Sequence, residues 1–401
     1  MQLGNITDPA RPWTRTAFSE RHGQGRQFLV NRMQELGLET RIDAAGNLIG
    51  RRAGSDSSAG TIMIGSHSDT VVGGGRFDGI AGVIAGLEIA ATLRDGGLRL
   101  RHALEIVDFL AEEPNEFGLS CVGSRGMAGA LDADMLARKN RAGATLQDGI
   151  RGTGAPAGVG DARRGDVAAF FELHIEQGPV LEAEGQEVGI VTHIAGIRRL
   201  ALTFKGQAAH AGTTPLDLRQ DALVAASRFV LELRQALQDA PEAFVIATVG
   251  QINIAPNAPN VVPGDAQLVV DLRSDVAETL VTWTDRIRGL AEQAVAGTKV
   301  QPTDCRLLSA TLPTTCAPAL TAHLRVAARE LGLSQRDIVS GAGHDAAFLS
   351  QIAPAAMLFV PSRAGMSHCA EEWTDADALA KGVATVLRAV RAFDAAEGVK
   401  S

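Results

Sequence analysis

The chain has 401 residues, enough for two domains or one large one. Its formal net charge is −8, from 38 Lys and Arg against 46 Asp and Glu, and no basic block interrupts it, which argues against nucleic acid as a main partner. Hydrophobic residues make up 45% of the chain but aromatics only 4%, with no tyrosine, so aliphatic side chains must fill the cores.

Cys121, Cys305, Cys316 and Cys369 form no CxxC pair and suggest no disulfide framework, so a reduced, cytoplasmic chain is expected. The opening MQLGNITDPARPWTRT lacks an apolar core region, and no signal peptide is expected. No segment approaches the about 18 consecutive apolar residues of a membrane helix, so no membrane partner is expected.

In chain order, residues 11–37 read as a helix, with Phe28, Leu29, Met33 and Leu36 on one face and Gly37 as its stop. Residues 39–51 alternate around Gly46-Asn47 and predict a hairpin. Thr61–Gly65 reads as a buried strand, and Ile80, Val83, Ile84, Leu87 and Ala91 recur at helical spacing behind it. Residues 104–110 predict another strand, running into Ala111-Glu112-Glu113-Pro114; residues 119–165 look irregular, with 149–165 a loop. Phe170–Ile175 reads as a strand ending in HIEQGP.

The character changes near Gly196. A short strand at 200–204 is followed by GQAAHAGTTP, a helix at 221–238, strands at 244–252 and 267–273, and a helix at 277–296. This β-α-β-β-α order matches a small α+β module of the split-βαβ, ferredoxin-like kind, of a size suited to insertion in a host fold. From about Thr311 the α/β pattern resumes, with a helix at 318–331, a loop at 341–345 opening a helix, a strand at 355–360, a loop at 362–369 and a closing helix at 375–393.

The chemistry gathers at strand ends. GSHSDTVVGGGRFDGIAG, residues 65–82, carries His67 and Asp78 at a strand–loop–helix mouth, where sites form in open α/β sheets. Glu112-Glu113, His174 and His368 end other predicted strands or loops. A two-metal centre needs about five such ligands, one bridging, and a carboxylate to activate water. Histidine with carboxylate suits zinc, cobalt, nickel or manganese.

Each residue also has a plainer reading. Glu112-Glu113 before proline can be a solvated turn; extended, its side chains would point opposite ways, one to a metal and one free as a base. His174 alternates with Leu173 and Ile175 and can be a core histidine; His368 is similar, and Cys369 beside it reads as a soft ligand or a small buried residue. Asp69 can accept a hydrogen bond from the His67 ring. His22, His102, His193 and His323 read as surface or structural. In the inserted module, His210 can donate to an oxyanion. Arg273, near Asn260, can clamp a carboxylate or pair at the surface with Asp271 or Asp275.

The motifs at 65–88, HIEQGPVLE at 174–182, GQAAHAGTTPLDLRQDAL at 206–223, NVVPG at 260–264, DLRS at 271–274, GAGHDA at 341–346 and MSHCAEEWT at 366–374 span nearly the whole chain. In them the chain resembles amidases of the hydantoinase/carbamoylase type: N-carbamoyl-L-amino-acid hydrolases, allantoate amidohydrolases and ureidoglycolate amidohydrolases, within the dinuclear-zinc aminopeptidase and carboxypeptidase superfamily. The resemblance implies an α/β fold, with a mixed-sheet catalytic domain at 1–195 and 311–401 and an inserted α+β lid and dimerisation domain at 196–310.

The resemblance also implies roles. His67, Asp78 and His174 would hold one divalent metal, and Asp78, Glu113 and His368 the other, with zinc first and manganese, cobalt or nickel as alternatives. Glu112 would be the general base, Gln177 would touch the ureido group, and His210 would stabilise the oxyanion. Asn260, Arg273 and the Gly365 loop would grip the substrate carboxylate in a homodimer. The substrate implied first is an N-carbamoyl-L-amino acid, with allantoate and ureidoglycolate next and an N-acyl amino acid after them. A non-catalytic binding protein on this scaffold would lack a ligand or the base, and all six positions are present. The chain departs from the family at Pro114-Asn115-Glu116, where Gly-Ser-Arg is usual, and at Ala364, which replaces a glycine. Substrate choice is therefore expected to lie at 114–116 and in the inserted module.

Overall fold

The computed structural model describes residues 2–396; the first residue and the last five, included in the expected domain spans, lie outside the described residues. The chain divides into two compact units, residues 1–192 with 315–401, and residues 193–314. The strands are β1 (Glu39–Ile42), β2 (Leu48–Arg52), β3 (Thr61–His67), β4 (Ala103–Phe109), β5 (Val167–Ile175) and β6 (Val188–Ile194). Then come β7 (Gly196–Lys205), β8 (Ala209–His210), β9 (Val245–Ala255), β10 (Val261–Val262), β11 (Asp265–Ser274) and β12 (Gln301–Ala310). The last are β13 (Thr314–Thr315), β14 (Gln335–Ser340) and β15 (Ala355–Val360).

The larger sheet runs β1-β2-β4-β3-β5-β15-β6-β13, with β14 paired to β6. β3 is parallel to both β4 and β5, and β5 is parallel to β15; the hairpin β1-β2 and strand β6 join antiparallel. Parallel strands covered on both faces need apolar side chains on both, and β3, β4 and β15 are buried at every residue. The helices Ile80–Asp95, Pro318–Glu330 and Ala376–Ala396 pack on one face, where Leu87, Leu324 and Val390 meet Ile64, Leu173 and Leu358. Burying each such aliphatic side chain contributes about 1.5–3 kcal/mol.

The second unit carries a four-stranded antiparallel sheet, β12-β7-β11-β9, and a small ladder pairing β8 with β10. Along β11 burial alternates, and Ala266, Leu268, Val270 and Leu272 face Phe229, Trp283 and Ile287 of the helices Ala222–Gln238 and Ala277–Val295. Asp221 caps the first of these helices by accepting from the N–H groups of Leu223 and Val224.

Several local expectations change. The first helix starts at Glu20, because Ser19 accepts from the His22 N–H and caps it there. The expected loop at 149–165 contains the end of the helix Leu146–Gly152, begun by a reciprocal cap between Thr145 and Asp148, and a 3-10 turn at Val159–Ala162. β6, β12 and β14 were not anticipated, and the strand expected at 200–204 runs for ten residues. No helix among the described residues is long and apolar enough to cross a membrane.

Candidate metal centre

The strand order β4-β3-β5 sets three carboxyl ends side by side. His67 is the last residue of β3, His174 the penultimate residue of β5, and Glu112 and Glu113 follow β4. The loop after β3 returns Asp78 to the same place, just before the helix beginning at Ile80. The residue between them is Gly79, with φ of 65°. A Cβ there would lie 2.3–2.5 Å from the His67 ring, so only glycine admits both the turn and the imidazole.

Asp78 lies between two groups of ligands. Its Oδ1 is 3.1 Å from His174 Nε2 and 3.9 Å from His67 Nε2, while its Oδ2 is 2.7 Å from His368 Nε2. His368 Nε2 is in turn 3.4 Å from Glu113 Oε1. Two sets, His67–Asp78–His174 and Asp78–Glu113–His368, each bring three ligand atoms within 4.8 Å of one another. They overlap at Asp78. The ligand side chains are buried except His368, which is 45% exposed and opens the cluster to solvent.

The imidazoles are oriented from behind. His67 Nδ1 lies 3.0 Å from the Asp69 carbonyl and His174 Nδ1 lies 2.9 Å from the Ile175 carbonyl. A carbonyl only accepts, so each Nδ1 donates to it, and Nε2 is the ring nitrogen turned to the cluster. Asp69 is thus the acceptor for the His67 ring, as expected, through its carbonyl; its carboxylate lies 3.7 Å from the ring. That carboxylate instead accepts the N–H groups of Glu112 and Glu113 at 3.2 and 3.1 Å. It steers both glutamates inward, one to each group: Glu112 Oε2 is 3.6 Å from His67 Nε2, and Glu113 reaches His368. The opposite-facing pair expected from an extended chain is replaced by a turn set up by Ala111, whose φ is 53°. Cys121 Sγ donates to Glu112 Oε1 at 3.4 Å.

The electrostatics call for cations. Burial, followed by the negative charges of Glu113, Asp345 and Asp69, pushes the Glu112 carboxyl well above its ordinary range. Burial and the charge of Asp78 push Glu113 up to about 8. Burial also opposes ionisation of Asp78, but its hydrogen bonds to His174 and His368 outweigh it and hold it well below the usual range. Burial lowers His174, but the hydrogen bond and charge of Asp78, with Glu172, raise it to about 9; Asp78 raises His368 to about 9, also against burial; and burial lowers His67 to about 4. So many acids buried together lack compensating charge, and divalent cations bound by imidazole nitrogen and carboxylate oxygen would supply it.

Peptidase family M20/M25/M40 matches residues 63–392 of the chain. The chain belongs to this family. It is 40% identical over 387 residues to an N-carbamoyl-L-amino-acid amidohydrolase of Paenarthrobacter aurescens, an alignment covering 95% of this chain and 93% of that protein. It is 36% identical over 385 residues to an allantoate amidohydrolase of Bacillus subtilis, covering 92% and 90%. The crystal structure of a hydantoinase/carbamoylase family amidase from Burkholderia multivorans matches with a TM-score of 0.91 at 36% identity, covering 98% of this chain and 95% of that one.

The remaining expected residues of this M20-family chain fall in both units. Gln177, at φ 59°, donates from Nε2 to Asp78 Oδ2 at 3.0 Å, while its Oε1 is buried without a partner. Gly365, at φ 66°, approaches the backbone at 178–179, where a Cβ would meet Pro179 N at 2.6 Å. His210, Asn260 and Arg273 lie in the second unit. His210 Nδ1 accepts the N–H groups of Gly212 and Thr213 at 3.1 and 3.2 Å, which leaves its proton on Nε2 as a donor. The Asn260 carbonyl accepts from the Ala211 N–H at 3.0 Å. Arg273 pairs with Asp271 at 2.6 Å, one of the two surface pairings considered for it.

Glu116 is exposed, and its carboxylate accepts from Asn140 Nδ2 at 2.8 Å. Other residues were missed. His344 is buried with its ring 4.7 Å from that of His174, its Nε2 hydrogen-bonded to Ser340 Oγ at 2.7 Å. Glu172 accepts from Ser66 Oγ and the Ala346 N–H beneath the cluster. Glu372 accepts the N–H groups of Phe77 and Asp78 and the Ser367 hydroxyl. The only sequence signal for these was their place inside GAGHDA, FFELHI and AEEWT.

Proposed function

We propose that this protein is a metal-dependent amidohydrolase of carbamoyl or ureido groups, with an N-carbamoyl-L-amino acid as its substrate. The observation that carries the reading is Asp78, whose two oxygens face two different ligand groups. The similarity to an N-carbamoyl-L-amino-acid amidohydrolase across nearly the whole chain supports the substrate class. Allantoate and ureidoglycolate come next, because relatives bearing those names align over most of the chain as well.

In this reading His67, His174 and Asp78 hold one divalent ion and Asp78, Glu113 and His368 a second, zinc first among manganese, cobalt and nickel. Such ions supply Lewis-acid polarisation of the scissile carbonyl and a lowered pKa for water. Glu112, whose proton affinity burial raises, takes the proton of the attacking water and returns it to the leaving nitrogen. Gln177 holds the ureido oxygen or nitrogen, and His210 Nε2–H is the oxyanion donor. Asn260, Arg273 and the Gly365 turn grip the substrate carboxylate. Water consumed in the reaction appears in the products as amino acid, ammonia and carbon dioxide.

The second unit is the proposed homodimer surface. β9 is an edge strand, and Ile246 and Ile252 on it and Leu231 on the neighbouring helix are exposed. The direct test presents N-carbamoyl-L-amino acids, allantoate and ureidoglycolate to the protein loaded with zinc, manganese or cobalt and measures ammonia. Carbamoyl amino acids should turn over fastest; no ammonia from any of them would refute the reading.

A further inference from the structure

The loop that returns Asp78 to the cluster carries three consecutive glycines, residues 73–75, with Gly73 at φ 68° and Gly75 at φ 107°. Such a run has wide backbone freedom, yet Asp78 beyond it must face two ligand groups at once. Something outside the run has to hold the loop.

Arg76 follows the glycines directly. Its guanidinium carbon lies 4.0 Å from the centre of the Trp13 ring and 5.4 Å from that of Trp373, within cation–π range of both. Among the described residues it has no ion-pair partner, and its Nε is buried without an acceptor. Two indole faces therefore stand where a carboxylate would be expected. A planar guanidinium stacks on aromatic rings in a way that the ammonium of lysine does not.

The two indoles come from opposite ends of the chain, and each is tied to a different side of the site. Trp13, itself at φ 61°, accepts the Gly74 N–H at 3.0 Å and the Thr70 hydroxyl at 3.3 Å through its carbonyl. Thr14 Oγ1 accepts the Gly73 N–H at 2.8 Å, so residues 13–14 clasp the glycine run. Trp373 lies on the loop that carries His368. Its carbonyl accepts the Arg363 N–H at 2.8 Å, and its ring meets Phe77 edge to face at 5.5 Å. Arg76 thus links the loop of Asp78 to the loop of His368, and these residues are two of the three ligands proposed for the second ion. A stack that served stability alone would not need to sit directly before Phe77-Asp78.

We propose that Arg76 is a positioning residue for the metal centre: by bridging Trp13 and Trp373 it fixes the Asp78 loop against the His368 loop and so sets the affinity for the second ion. The inference rests on the two-ion reading of Asp78.

The test titrates the full-length, zinc-loaded protein with a graded chelator and counts ions per chain by mass spectrometry. R76M keeps the aliphatic stem and removes the planar cation, and W13L removes one indole at a half-buried position. Each should weaken one of the two ions by about tenfold, as removal of a ligand-orienting group does, and leave the other bound. The double variant R76M/W13L should be no weaker than either single variant, because both break the same contact. R76K, charged but not planar, should recover only part of the loss. Wild-type retention of both ions in R76M and W13L, losses that add in the double variant, equal loss of both ions, or full recovery in R76K would each overturn the proposal. A wild type that binds fewer than two ions would overturn the two-ion reading, and this inference with it.

Discussion

Glu372 accepts the backbone N–H of Asp78 at 3.1 Å and, through the same oxygen, that of Phe77 at 2.7 Å. Its other oxygen takes the Ser367 hydroxyl at 2.8 Å, so one side chain ties the loop bearing Asp78 to the loop bearing His368. Removing it frees two ligands at once. Glu372→Ala should lower metal affinity by about 10–100-fold, the usual cost of losing a group that orients ligands. Metal content after dialysis against a graded chelator checks this, with wild-type retention ruling the role out.

Glu112 separates catalysis from metal binding. Glu112→Gln keeps the shape and removes the base, so turnover should fall by about 10²–10⁴-fold while both ions stay bound. Parallel measurement of kcat and metal stoichiometry distinguishes this from a ligand role, in which the two would fall together.

Gly79 has no room for a methyl group. Gly79→Ala places a Cβ against the His67 ring and forces alanine to φ 65°, combining steric and backbone strain. A loss of about 2–4 kcal/mol in unfolding free energy is expected, together with weaker metal binding. Urea unfolding with and without metal would show both effects.

Asp166 gives a pH dependence remote from the metal ligands. Hydrogen bonds from Arg164, more than balancing burial, hold its carboxyl near about 2 against an ordinary 3.8. A depressed folded-state pKa stabilises the fold above pH 4, and the contribution is lost as pH falls from 4 to 2. The side chain is 51% exposed, so screening reduces the contribution to about 1 kcal/mol. Relative to Asp166→Asn, the wild type should be more stable at pH 6 by that amount, and the gap should close near pH 2. Denaturant midpoints across this range test it.

Leu231, 69% exposed, belongs to the proposed dimer surface. Leu231→Lys should shift the protein toward monomer in light scattering while leaving its metal content intact. An unchanged mass would place any interface elsewhere.

Much of this protein is legible in its sequence because the relevant signals are local. The run Thr61–Ile64 followed by glycines marks a buried strand that ends at chemistry, and the spacing of Ile80, Val83 and Leu87 marks the helix behind it. The edge strand β12 was missed for the opposite reason: its sequence, QPTDCRLLSA, has no regular alternation, and its pairing with β7 comes from backbone hydrogen bonds. His344 gave no sign of lying against His174, since the two are separated by 170 positions and meet only when β5 and β15 pair.

Residue types, strand ends and family are thus determined by the sequence alone, because apolar periodicity and motif spacing act over short stretches. Which way each side chain turns was decided by tertiary structure. Asp78 faces two ligand groups because strands distant in the chain are neighbours in the sheet. Both glutamates turn inward because the Asp69 carboxylate holds their N–H groups. Glu116 accepts from Asn140 in a turn closed by the Gly118 N–H on the Asn115 carbonyl. These outcomes depend on long-range pairing and on the satisfaction of buried polar groups, which no local pattern encodes.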